Sequence, residues 1–357
     1  MTVATTGDGR LYLPGRVKVY LAIAALAVVV GIPVFGSTLM ILRATEVAIF
    51  SVAFAGLHIL SGRLGLISVG HGAFIGIGAI GAAHTIDDLG VPYLLAPLAG
   101  AICGALFGAL IGVPSLRLPG AYLALLTLAM AMVLPIAMRQ IDGPLGYRVD
   151  GDLHPPTWTG LDLSQINVWQ YILVVVVGAA TLAVLRLAIG GRFTRSLIAA
   201  RDEPTAAAAF GINVSRVRLI GVILSAALAG TAGGLSLYPT PLVAGSHYPF
   251  SLSVSMFALM LALGASRLWI VLPASIVLVM LPNALISLGW PVWEPIIYAA
   301  LLLLMTRVSR GQGLVSLFER PPAPVPIRTS VPTLEGPRFG GGGRNPFLLT
   351  AEPRSRT

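Results

Sequence analysis

The 357-residue chain is 56% hydrophobic and only 10% charged, with 23 Lys and Arg against 14 Asp and Glu. Soluble domains carry about 25% charged residues, so a water-exposed surface cannot be built here and a soluble enzyme is excluded. Disorder over most of the chain is excluded by the same numbers, and what remains is an all-α polytopic membrane protein.

A helix crossing a bilayer needs roughly 20 mostly apolar residues. Ten segments meet that need, at about 17–36, 39–60, 66–86, 92–113, 120–138, 168–189, 218–238, 251–266, 268–289 and 291–307. The third and eighth are the weakest, being rich in glycine or serine. No A-x-A site follows the first near Phe35–Thr38, so it reads as a retained anchor instead of a signal peptide. With ten spans and a cytoplasmic N-terminal segment, 1–16, both termini lie inside. The inward segments then hold Arg10, Arg16, Lys18, Arg63, Arg117, Arg186, Arg192, Arg195, Arg201, Arg216, Arg218, Arg267 and everything from Arg307 onward. The outward ones hold only Arg139 and Arg148, as retention of positive charge on the cytoplasmic side requires. The net charge of +9 is therefore a topology signal and calls for no nucleic acid.

The membrane domain so defined, 17–307, is interrupted by an outer loop at 139–167, carrying Asp142, Asp150, Asp152 and Asp162, and by an inward segment at 190–217. The tail, 308–357, is rich in proline and glycine and reads as disordered cytoplasmic chain. Within the fourth span Gly100, Gly104, Gly108 and Gly112 recur every four residues. They share one helix face, against which another helix can pack at close backbone distance, as a static contact or a sliding one. Gly72 and Gly76, and Gly230 and Gly234, form similar faces. Arg43 and Glu46 stand one turn apart in the second span and read as a structural pair, and His58, near its inner end, is placed to face the headgroups.

Catalytic signatures are absent from the sequence. It has no P-loop, no H-E-x-x-H and no metal-ligand spacing among its five histidines, while the single cysteine, Cys103, allows no internal disulfide. The Asn213-Val214-Ser215 sequon falls on the inward side and reads as chance. The inward segment is more informative. Asp202 or Glu203 can cap a helix with Pro204 in its first turn, four alanines favour its propagation, and Gly211 can end it in the left-handed conformation. The product is a rigid knob of about two turns, serving as a connector or as a docking point for a soluble partner.

From Arg195 to Gly234 the sequence R-S-L-I-A-A-R-D-E-P-T-A-A-A-A-F-G-I-N-V-S-R-V-R-L…L-S-A-A-L-A-G-T-A-G-G resembles the coupling segment and following helix of LivM-like permeases, the membrane subunits of branched-chain amino acid ABC importers. Ser61-Gly62…Ile67-Ser68-x-Gly70-His71-x2-Phe74-x-Gly76-Ile77-Gly78-Ala79 is similar to a second signature of that family, and Leu116-Arg117-Leu118-x-Gly120-x-Tyr122-Leu123-Ala124-x2-Thr127-Leu128-Ala129 to a third. The resemblance covers roughly residues 45–310. Two departures stand out: Leu263 to Pro273 lacks several glycines of the family's G-G-x-G-S-x-x-G-P pattern, which bears on substrate choice, and Pro204 replaces a residue that is usually not proline.

The resemblance implies a non-enzymatic permease subunit in a bacterial cell membrane, passing branched-chain, hydrophobic amino acids. It implies as partners an extracytoplasmic binding protein, a second permease subunit and two ATPase subunits. ATP and Mg would be bound on those ATPases, with no cofactor on this chain and membrane lipid around it. By the same resemblance Arg201, Asp202, Glu203, Pro204, Ala208, Gly211 and Ile212 form the helix that sits in a cleft of the ATPase. Gly70, His71, Phe74, Gly78 and Thr127 are candidates for the translocation pathway, the alternative being tight packing with His71 bonded to a backbone carbonyl. Other readings are a permease of the same architecture for urea, short amides or a sugar, and a carrier that works without ATP.

Overall fold

The computed structural model describes residues 31–116, 120–150, 155, 165–188, 191–264 and 268–308. The first expected span and the tail lie largely or wholly outside them. In chain order, α1 (Thr38–Leu57) continues as a wider π-helical turn (His58–Arg63), and α2 (His71–Leu89) follows an irregular stretch. Then come α3 (Ala96–Ser115), α4 (Gly120–Asp142) and α5 (Ile166–Ala188). Two short helices, α6 (Arg192–Asp202) and α7 (Pro204–Ala209), precede α8 (Val214–Ser236), α9 (Phe250–Leu263), α10 (Val271–Ser287) and α11 (Glu294–Val308).

Seven helical stretches among the described residues are long and apolar enough to cross a membrane: Thr38–Arg63, Tyr93–Pro114, Tyr122–Asp142, Ile166–Ala188, Val214–Ser236, Gly245–Leu263 and Leu268–Ser287. They coincide with seven of the ten expected segments. The third segment is only partly helical. It opens within irregular backbone that runs to residue 70, and α2 begins at His71, its far end made polar by His84, Asp87 and Asp88. The tenth corresponds to the shorter α11.

The packing follows from the glycine pattern. Lipid tails give helices no hydrophobic reason to associate, so close van der Waals fit between small residues must hold them together. The inner face of α3 does this against α8: a methyl group on Gly100 would come within 2.3 Å of the Gly230 carbonyl oxygen, and one on Gly104 within 2.4 Å of that of Ala226. Two residues out of phase, Leu98, Ile102, Leu106 and Leu110 form an exposed stripe on the opposite face, suited to lipid. The central helix is α8, with α1, α2 and α3 packed around it. Tyr93 donates its hydroxyl proton to the Leu237 carbonyl, and Tyr238 donates to Leu94 at 2.6 Å, so two buried phenols lock the start of α3 to the end of α8.

Three local expectations change. His58 is only 2% exposed, because the π turn carries it into the packed interior instead of toward headgroups. Glu203 occupies the N-cap position of α7, yet neither it nor Asp202 supplies a side-chain cap; Pro204 follows, and proline has no N–H to be capped. The outer loop is not wholly irregular: α4 runs on to Asp142, and Tyr147–Arg148 (β1) pairs antiparallel with Leu242–Val243 (β2).

Candidate functional site

The helices sort the charged groups into two ends. One end gathers Arg201, Arg218, the π turn and Leu116 around a single cavity. The other gathers His84, Asp88 and Asp142, with His84 within 3.3 Å of Asp88 and 3.2 Å of Asp142. There Tyr147 lies against His84 with ring centroids 4.3 Å apart and the ring planes tilted by 40°. Its hydroxyl donates to Asp87, and that bond, with burial and the charges of Asp87, Asp88 and Asp142, pushes its pKa up to about 12.

At the basic end α6 and α7 form the knob. Pro204 sits in the first turn of α7, where its missing N–H costs nothing. The helix closes with Ile212 N–H donating to the Ala207 carbonyl and Gly211 N–H to that of Ala208, at 3.0 Å each. Gly211 takes φ +82°, the left-handed conformation this closure needs. Asn213 then caps α8, accepting from Arg216 N–H at 3.0 Å; the spacing of a cap was present in the sequon that read as chance. In the knob Ala207 is buried, while Arg201, Asp202, Glu203, Ala208 and Gly211 are exposed and Pro204 and Ile212 half-buried. Phe210, which the sequence reading did not single out, projects with 87% of its surface exposed.

Arg201 anchors the knob. Its Nη1 donates to the Gly62 carbonyl at 2.9 Å, and its Nε lies 3.6 Å from Asp202. Gly65 lets it lie there: at φ +67° a side chain would be strained, and a methyl group would meet the Arg201 chain at 2.9 Å. Arg218 at the start of α8 donates to the Ala200 carbonyl at 3.3 Å, and both arginines line one cavity. The cavity they share has a volume of about 420 Å³. Its wall includes Gly65, Leu66 and Ile67 of the irregular stretch. Non-helical backbone at membrane depth survives where it is buried in protein or lines a cavity, and residues 64–67 line this one.

The five pathway candidates lie elsewhere. His71 is fully buried, its Nε2 2.9 Å from the Ala53 carbonyl oxygen, and Phe74 is buried edge-on between His71 and Phe107. Gly70 presses against the Thr127 backbone, where no side chain would fit. The Thr127 hydroxyl accepts from Val69 N–H at 3.2 Å and donates to Ala124. Gly78 abuts Gly230 on α8. His71 and Phe74 therefore meet each other, and Gly70 meets Thr127, but none of the five borders the cavity. Arg43 and Glu46 interact electrostatically on α1. Among the described residues no group of His, Cys, Asp and Glu is arranged to hold a metal ion.

A family described as branched-chain amino acid transport system / permease component matches residues 37–306. Two curated relatives are the high-affinity branched-chain amino acid transport system permease protein LivM of Salmonella typhimurium and that of Escherichia coli. The first is 26% identical over 82% of this chain and 74% of its own length, and the second 26% identical over 83% and 74%. No solved structure matches the chain.

Proposed function

Because the chain belongs to the family of branched-chain amino acid transport permeases, a multi-pass membrane group, we propose that it is one permease subunit of an ABC importer in a bacterial plasma membrane. It passes branched-chain amino acids delivered by an extracytoplasmic binding protein, beside a second permease subunit, and two separate ATPases drive it. The basic end is then cytoplasmic, with both termini on that side, and the His84–Asp142 end faces outward. The chain itself is not an enzyme and carries no cofactor; ATP and Mg are bound by the partners.

The observation that carries this reading is the exposed, rigidly closed α7 knob, joined by the Arg201–Gly62 hydrogen bond to the turn that opens into the irregular membrane stretch. A partner gripping α7 acts on α6, and Arg201 transmits the displacement to residues 62–67 and so to α1 and α2. The partner must hold the knob differently in its ATP-bound and free states, since a contact equal in both shifts no equilibrium. Phe210 offers it an apolar anchor and Arg201, Asp202 and Glu203 a polar rim.

The test is to replace Glu203 and Gly211, separately, and measure both ATPase co-purification and amino acid uptake. Loss of either supports the coupling role, and normal values for both overturn it. Transport by the purified chain in liposomes without ATPases would instead favour an autonomous carrier.

A further inference from the structure

We propose that the cavity between α6, α8 and the irregular stretch at 64–67 is a binding site for an apolar amino acid on the cytoplasmic side, its carboxylate held by Arg201 and Arg218. The inference rests on the transport reading and adds a location and a recognition chemistry to it.

The cavity lining is of two kinds: the two arginines, and an apolar set of Leu64, Ile67, Leu123, Val222, Phe257 and Leu261. Its volume of about 420 Å³ falls in the range of small-molecule sites, roughly 300–1,000 Å³. A guanidinium has five N–H donors, and the hydrogen bonds seen in the structure use one of Arg201, to Gly62, and one of Arg218, to Ala200. Asp202 is the one carboxylate paired with either among the described residues, and it lies 3.6 Å from Arg201 on the exposed side. Among the described residues the two cations lining the cavity thus have one paired carboxylate, that of Asp202 on Arg201, and a low-dielectric cleft lined by one sign of charge concentrates the opposite sign.

A planar carboxylate matches that donor fork, and the leucine, valine and phenylalanine wall suits a branched aliphatic tail. Ser61 completes the set. Its hydroxyl donates to the Leu66 carbonyl at 3.1 Å, which leaves its oxygen free to accept from an ammonium group. Carboxylate, ammonium and aliphatic side chain each find a partner in one cavity beside the root of the knob. An anionic lipid headgroup presents the same charge without the compact tail, and the experiment separates the two.

The experiment is equilibrium binding of radiolabelled leucine to the purified permease–ATPase complex in phosphatidylcholine nanodiscs, without the binding protein. We expect saturable binding, competed by 4-methyl-2-oxopentanoate, which keeps the carboxylate, and not by leucinamide, which lacks it. Arg218→Gln should weaken it about tenfold, the effect of losing one charge-assisted hydrogen bond, with partial recovery in Arg218→Lys. Leu123→Trp, which fills the cavity and keeps both arginines, should also abolish it. Absence of binding, equal competition by leucinamide, or binding unaffected by both Arg218→Gln and Leu123→Trp overturns the site. Displacement of leucine by added phosphatidylglycerol overturns the amino acid in favour of lipid. Uptake supported by the binding protein, measured on the same complex, is the separate control. Uptake without inward-side binding refutes only the site, whereas a complex that never transports refutes the reading beneath it.

Discussion

Replacing Gly104 with alanine tests the helix contact on which the fold depends. The added methyl carbon would lie 2.4 Å from the Ala226 carbonyl oxygen, about 1 Å inside the ~3.5 Å at which such atoms rest. The obstacle is backbone, so no rotamer change relieves it, and α3 and α8 must separate. A gap of roughly 0.5–1 Å forfeits a quarter to a half of each dispersion contact along the seam. The expected destabilisation is about 1–3 kcal/mol, as for other overpacked interiors.

Gly112 supplies the internal control on the same stripe. There the methyl would meet the tip of Leu219 at 2.8 Å, a flexible group that can turn aside, while alanine gains up to ~1 kcal/mol of helix preference over glycine. Gly112→Ala should therefore be close to neutral. Thermal unfolding of the solubilised protein, followed by fluorescence-detected size exclusion, should rank Gly104→Ala well below Gly112→Ala. Equal losses, or a greater loss at Gly112, would refute the claim that backbone contact between α3 and α8 sets the packing.

Other outcomes follow from single residues. Gly211→Ala places a methyl group at φ +82°, which costs about 1–2 kcal/mol locally; the knob should loosen and ATPase co-purification fall while whole-protein melting changes little. Phe210→Ala should weaken ATPase association without lowering the melting temperature, because 87% of that side chain is already exposed. His71→Ala removes a fully buried ring together with its contact to the Ala53 carbonyl. Stability should drop by about 2–4 kcal/mol with substrate preference unchanged, and an altered preference in a variant that still assembles would place His71 in the pathway. Tyr147 should titrate near about 12 by ultraviolet difference absorbance, above the ordinary ~10, and Asp87→Asn should bring it down. Since the folded value is the raised one, the associated stability is complete below the ordinary value and disappears as pH rises through about 12.

The span pattern, the glycine stripe of α3 and the proline-to-glycine limits of α7 were legible in the sequence for one reason. Each depends on residues close together along the chain, through hydropathy, a four-residue period or the backbone preference of a single residue. His58 shows where that reasoning stops, since its place near a helix end suggested headgroups and a π turn turned it inward. Arg218 shows it more sharply. In the sequence it is one of several arginines flanking a span, and only the folding of α8 against α6, with Gly65 making room for Arg201, brings two topology charges to the wall of one cavity. Partners far apart in sequence were chosen by how closely backbones could approach, which no local pattern encodes. The identity of the helices was written residue by residue, and the chemistry of the space between them was settled by their packing.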